Sequence, residues 1–150
     1  MRIVLLGTAA GGGVPQWNCA CRLCVAARLG SPTVPPRTQD CLAISATGED
    51  WYLVNVSPDI RTQLIGTAHL APGPEPRATP IRGALLTDAE LDHTTGLLLL
   101  REGAGLHVWA PAAVVSALTT DFPVRDVVRR YHDWTWHAVE TTPFDLGGLR

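Results

Sequence analysis

Cys19, Cys21 and Cys24 place three of the four cysteines of this chain within six consecutive positions. A C-x-C-x-x-C spacing in a loop lets three sulfurs converge on one ion with little backbone rearrangement, and tetrahedral zinc takes thiolates at about 2.3 Å. Three ligands from one loop leave a fourth to come from elsewhere. Such a closed site is structural: it ties down the loop and leaves no position for a substrate. An iron-sulfur cluster would need Cys41 as a further thiolate, and Cys41 heads a strand-like run where a core role suits it better. Three unrelated thiols are the plain alternative.

A second group follows the apolar run Leu85-Leu86. Asp88, Glu90 and Asp92 alternate, and His93 comes directly after. In an extended stretch the side chains at 88, 90 and 92 share one side, which gathers oxygen ligands, and His93 adds a nitrogen. A mixed nitrogen and oxygen set suits iron, manganese or zinc; with open positions it is the pattern of non-haem iron oxygenases. The competing reading is an acidic helix N-terminus with Asp88 or Asp92 as the cap.

Several elements must position these groups. Residues 2–6 form a β-branched and aliphatic run stopped by Gly7, a buried strand followed by a glycine-rich loop through Asn18. Helical character runs from Leu23 to Leu29 and ends at Gly30. Residues 42–45 and 51–56 flank the polar turn 47–50 and predict a hairpin. Ser57-Pro58-Asp59 predicts a helix capped by Ser57, begun at Pro58 and ended near Ile65 by Gly66. The proline-rich stretch 67–80 reads as surface loop. Further strands are expected at 83–86, 106–109 and 134–139, with helices at 97–101, 112–118 and 124–131. Residues 144–150 read as a hairpin lacking its return strand. Interleaved strands and helices in 150 residues predict one domain spanning 1–150, of the α/β (α+β) class.

Composition excludes several classes. The formal charge is -2 and every basic residue is arginine, so there is no electrostatic footprint for nucleic acid and no lysine for a P-loop. The apolar run at the start is too short for a signal peptide, and no window reaches the roughly 18 apolar residues of a membrane span. A soluble, cytoplasmic protein is expected, where clustered cysteines signal metal or redox chemistry rather than disulfides.

Several motifs occur together in consistent order: Leu6-Gly7-Thr8-Ala9-Ala10-Gly11-Gly12-Gly13, Pro15-Gln16-Trp17-Asn18-Cys19, Arg37-Thr38-Gln39, Asn55-Val56-Ser57-Pro58-Asp59-Ile60-Arg61, and Leu86-Thr87-Asp88-Ala89-Glu90-Leu91-Asp92-His93-Thr94-Thr95-Gly96-Leu97-Leu98. Together they resemble the coenzyme pyrroloquinoline quinone (PQQ) synthesis protein B family, within the metallo-β-lactamase superfamily. The resemblance implies a metallo-β-lactamase-like αββα sandwich, of which this chain would supply only the N-terminal half. It implies that Cys19, Cys21 and Cys24 are a structural zinc loop. It also implies an active-site metal, iron or another divalent ion, on Asp92 and His93, with Asp88 and Glu90 as further ligands. Asp88 and Glu90 stand where most of the superfamily has the first two histidines of H-x-H-x-D-H, which counts against ordinary dizinc hydrolysis.

The implied role is in PQQ biosynthesis, by oxygen-dependent hydroxylation of a tyrosine-derived intermediate. The alternatives are a non-catalytic carrier or transport accessory for PQQ or its intermediate, an inactive fragment, and a metallo-hydrolase. A half sandwich leaves an open sheet face, so a second polypeptide or a homodimer is expected to complete it, with His107, His132 and His137 as candidates for recruitment as ligands.

Overall fold

The computed structural model describes residues 1–149. Six strands form one sheet in chain order: β1 (Arg2–Gly7), β2 (Cys41–Ser45), β3 (Trp51–Val54), β4 (Ile81–Leu85), β5 (His107–Pro111) and β6 (Thr135–Val139). β1, β2 and β3 pair antiparallel, and β3 through β6 pair parallel. Each parallel step needs a crossover, and helices supply them. The helices are α1 (Arg22–Arg28), α2 (Ile60–Ile65), α3 (Leu91–Thr94), α4 (Ala112–Thr120) and α5 (Val124–Val128). Among the described residues no helix is long and apolar enough to cross a membrane.

The two faces of the sheet differ. Trp51, Leu53, Ala84, Val108 and Ala110 point to the helical side and form one core with Ile60, Leu97, Leu118, Val124 and Val128. The opposite face carries two cross-strand rows that follow directly from the register. One is Ile3, Ile44, Tyr52, Gly83, His107 and Thr135; the other is Leu5, Leu42, Val54, Leu85, Trp109 and His137. Ile3 and Leu5 are 55% and 67% exposed. At the Tyr52 end the chain folds back, with Leu146 buried and Gly147 against the Tyr52 ring. A sheet covered by helices on one side and largely open on the other is one α/β layer pair, half of the expected sandwich.

The hairpin, the 112–118 helix and the strand positions agree with the sequence reading to within a few residues. Three expectations are corrected. The 57–65 helix begins at Ile60, because Ser57 Oγ donates to Gln63 Oε1 at 3.0 Å and accepts from the Asp59 N–H, folding 57–59 into a turn ahead of the helix. The helix expected at 97–101 is instead α3 followed by a 3-10 turn at Thr95–Leu98. Thr94 and Thr95 hydroxyls return to the Glu90 and Leu91 carbonyls at 2.8 and 2.6 Å, drawing the helical turn toward the N-terminal side. The 124–131 helix ends at Val128. At the terminus Leu146 and Leu149 bridge across a tight turn, and Arg150 lies outside the described residues.

Candidate metal centres

The cysteine loop is built from short-range geometry. Cys21 caps α1 in an extended conformation and its Sγ accepts the Cys24 N–H at 3.5 Å, while Cys19 Sγ accepts the Cys21 N–H at 3.5 Å. The three sulfurs lie within 4.8 Å of one another, and no other set of three or more Cys, His, Asp or Glu ligand atoms among the described residues does so. A small contraction brings them to one tetrahedral ion, so the donor set fits zinc. Arg28 holds the loop from the far end of α1, donating to the Gln16 and Cys19 carbonyls at 2.7 and 3.0 Å. The sequence reading missed Arg28; its only signal there is one helical turn of separation from Cys24.

Thiol acidity is graded. The Cys24 N–H, and then Cys19, pull Cys21 down to about 7. The Gln16 backbone favours the Cys24 thiolate, but burial and its two neighbouring thiols push that thiol up. Burial pushes Cys41 up to about 12, and its Sγ donates to the Asn55 carbonyl at 3.2 Å, so Cys41 is core and outside the cluster. With metal stripped, iodoacetamide should modify exposed Cys21 first, with a midpoint near pH 7, and leave Cys41 untouched. Peptide mapping by mass spectrometry checks the order, and added zinc should suppress it.

The acidic segment does not run extended. It bends at Thr87 and Asp88 and turns helical at Leu91, so the carboxylates at 88, 90 and 92 do not line one side; this corrects the geometric expectation. Asp88 folds back instead. Its two oxygens lie 2.8 and 2.9 Å from His93 Nδ1, and they also accept from the Glu90 N–H and the Thr87 hydroxyl. Burial opposes its ionisation, but these donors outweigh it and hold the carboxyl below its usual value. His93 Nε2 is thereby turned toward Asp92 Oδ2 at 3.9 Å. Glu90 is exposed at the helix cap.

Two further parts of the site went unassigned in the sequence. Asn55, at a positive φ of 59°, presents Oδ1 to the Thr87 N–H and hydroxyl, both at 3.0 Å, which fixes the bend that carries Asp88. Gln39 accepts the Gly12 N–H at 2.9 Å, and both its amides, backbone and side-chain, donate to Asp59 Oδ2. That bracket holds the glycine loop so close that a Cβ on Gly11 would sit 3.0 Å from Asp92 Oδ2. Both residues lie in quoted motifs, but their partners are distant in sequence. Asp92 therefore sits against the glycine loop, and beside it His93 has its imidazole oriented at Nδ1 by a carboxylate and presented at Nε2, the arrangement in which histidine serves a metal.

The profile of the beta-lactamase superfamily domain matches residues 50–150. The chain belongs to that superfamily. It is 44% identical over 149 residues to coenzyme PQQ synthesis protein B of Ectopseudomonas mendocina, an alignment covering 97% of this chain and 49% of the relative. The crystal structure of Zn(2+)-bound PqqB from Methylobacterium extorquens superposes with a TM-score of 0.85 at 42% identity, covering 93% of this chain and 46% of that one. A diphosphatase of the PhnP family shares the fold at a TM-score of 0.72 and 20% identity. The chain spans about half the length of the curated relatives it matches.

Proposed function

We propose that this chain serves PQQ biosynthesis in the cytoplasm, as a metal-dependent oxygenase module acting on a tyrosine-derived intermediate. The identity to PQQ synthesis protein B supports the pathway. The observation that supports a metal-bearing site is the carboxylate-oriented His93 facing Asp92 beneath the glycine loop. Cys19, Cys21 and Cys24 hold structural zinc. Asp92 Oδ2 and His93 Nε2 ligate the active-site metal, Asp88 orients His93, and Glu90 stands outside this inner set. A bound iron with open positions supplies oxygen activation. The protein's part is to hold His93 in one orientation and to keep Asp92 pressed against the loop backbone.

In a complete sandwich of this fold, the other half covers the face that carries Ile3 and Leu5. A carrier module is the second reading, since the likeness to PQQ synthesis protein B supports the pathway and not a particular reaction. Metal analysis of anaerobically purified protein tests the assignment. About one zinc per chain should vanish in Cys21→Ser, and iron should vanish in Asp92→Ala while zinc stays. Zinc alone with iron never retained would leave a carrier. Oxygen uptake with the tyrosine-derived substrate separates the two, because a carrier binds without consuming oxygen.

A further inference from the structure

The glycine loop and residues 36–38 enclose a cavity of about 230 Å³. β1, β3 and β4 end at one edge of the sheet and β2 begins there, so the cavity lies among the loops of the edge that also carries Asp92 and His93, off the open sheet face. Its walls are tied together. Val14 and Arg37 exchange backbone hydrogen bonds at 2.8 and 2.7 Å, and Gln39 spans from the Gly12 N–H to Asp59 Oδ2. The Thr38 hydroxyl is committed to the Leu6 carbonyl and the Gln63 side-chain amide, at 3.0 Å each. That leaves two charged residues on the lining, Arg37 and Asp59. Among the described residues neither enters an ion pair. Arg37 is exposed, and Asp59 is half-buried with Oδ2 taken by both Gln39 amides.

We propose that this cavity is the amino-acid subsite of the candidate active site, where Arg37 takes the α-carboxylate and Asp59 the α-ammonium of a zwitterionic substrate. A cation and an anion that line one cavity without pairing with each other match the two charges of such a head group. A guanidinium binds a carboxylate through two parallel N–H···O bonds, and Asp59 Oδ1 is the acceptor that serves the ammonium. Gly12 lines the cavity, and its neighbour Gly11 is the residue whose Cβ would sit 3.0 Å from Asp92 Oδ2. Consecutive Cα atoms stand about 3.8 Å apart, so an aromatic amino acid gripped at Arg37 and Asp59 carries its ring toward Asp92 and His93. The assignment rests on the reading of a tyrosine-derived substrate and adds which end of that substrate the protein holds.

NMR titration of the zinc-loaded, iron-free chain with L-tyrosine, tyramine and 3-(4-hydroxyphenyl)propanoate tests this. Tyramine lacks the carboxylate, and the propanoate lacks the ammonium. L-tyrosine should bind about tenfold more tightly than either, the worth of one charge-assisted contact, and should first shift the amide signals of residues 12–14 and 37–39. Arg37→Gln should abolish the preference over tyramine and keep that over the propanoate; Asp59→Asn should do the reverse. Residues that only hold the loop would weaken all three probes alike. If a variant misfolds, the probe comparison and the signal map of the unaltered chain still decide. Equal affinities there, no binding of L-tyrosine, or shifts confined to residues 107–110 or 135–139 would overturn the proposal. Failure of the oxygenase reading registers separately, as L-tyrosine seated in the cavity with no oxygen consumed once iron is supplied.

Discussion

Replacing Cys24 by serine should release the zinc and loosen residues 14–30 while the sheet stays folded. Both halves of that result follow from where the cysteine loop sits. Cys24 and Ala27 are the buried residues of α1, yet neither belongs to the main core, which is built from the sheet, α2, the 3-10 turn at Thr95–Leu98, α4 and α5. The loop and α1 are therefore held by the sulfurs, by Arg28 on the Gln16 and Cys19 carbonyls, and by the β-bridge between Val14 and Arg37. Structural zinc binding supplies about 10–16 kcal/mol in small zinc-dependent folds, so losing a ligand removes the dominant restraint on this segment. Hydrogen exchange should rise by orders of magnitude across residues 14–30 and little across 41–54, with zinc stoichiometry falling toward zero. Cys41→Ser is the control: its sulfur bonds the Asn55 carbonyl away from the cluster, and zinc should be retained. Zinc kept by Cys24→Ser would remove Cys24 from the ligand set, and global unfolding would make the loop part of the core.

This division between loop and core also shows what a sequence can reveal. Cys19, Cys21 and Cys24 are legible because their chemistry is decided within six residues, and the helix that caps on Cys21 is local too. Strands such as Ile81–Leu85 are legible because burial imposes an apolar run. The extended reading of the acidic segment fails for the opposite reason, while its other reading, an acidic helix N-terminus, agrees with Asp92 in the first turn of α3. Its alternating carboxylates suggest an extended strand, but the bend at Thr87 is set by Asn55, 32 positions earlier at the end of β3, and only that bend turns Asp88 onto His93. The role of Gln39 depends likewise on Asp59, 20 positions away, and the hydrogen bond between His107 and His137 on register across 30. Residue types with metal chemistry announce themselves; the neutral side chains and loop glycines that aim them become visible only when distant strands are placed together.

Gly96 is a further case of such a dependence, and Gly96→Ala should be among the most damaging single-methyl changes in the chain. Its backbone N–H donates to the Val56 carbonyl at 3.0 Å, and the Val56 N–H donates to the His93 carbonyl at 2.7 Å, so these two bonds fasten α3 to the end of β3. A Cβ at Gly96 would meet the Ser57 carbonyl oxygen, the Val56 carbonyl oxygen at 2.6 Å and Val56 Cγ1 at 2.7 Å. None of these is a flexible tip that can swing away, since two are backbone and the third is a β-branched methyl in the core. Overpacking costs about 1–3 kcal/mol, and strain on either backbone bond adds about 1 kcal/mol, so a loss of roughly 3 kcal/mol is expected. In a domain of this size that lowers Tm by roughly 6–12 °C. The displacement falls on His93 and Asp92, so metal bound at that pair should be lost below the melting transition while zinc on the cysteine loop persists. Gly73→Ala, whose Cβ would meet only Ala78 at an ordinary 3.5 Å, should melt within a degree or two of the parent. Should Gly96→Ala melt alongside Gly73→Ala and keep its metal, α3 cannot be seated on Val56, and the orientation of His93 that the site depends on would have to be abandoned.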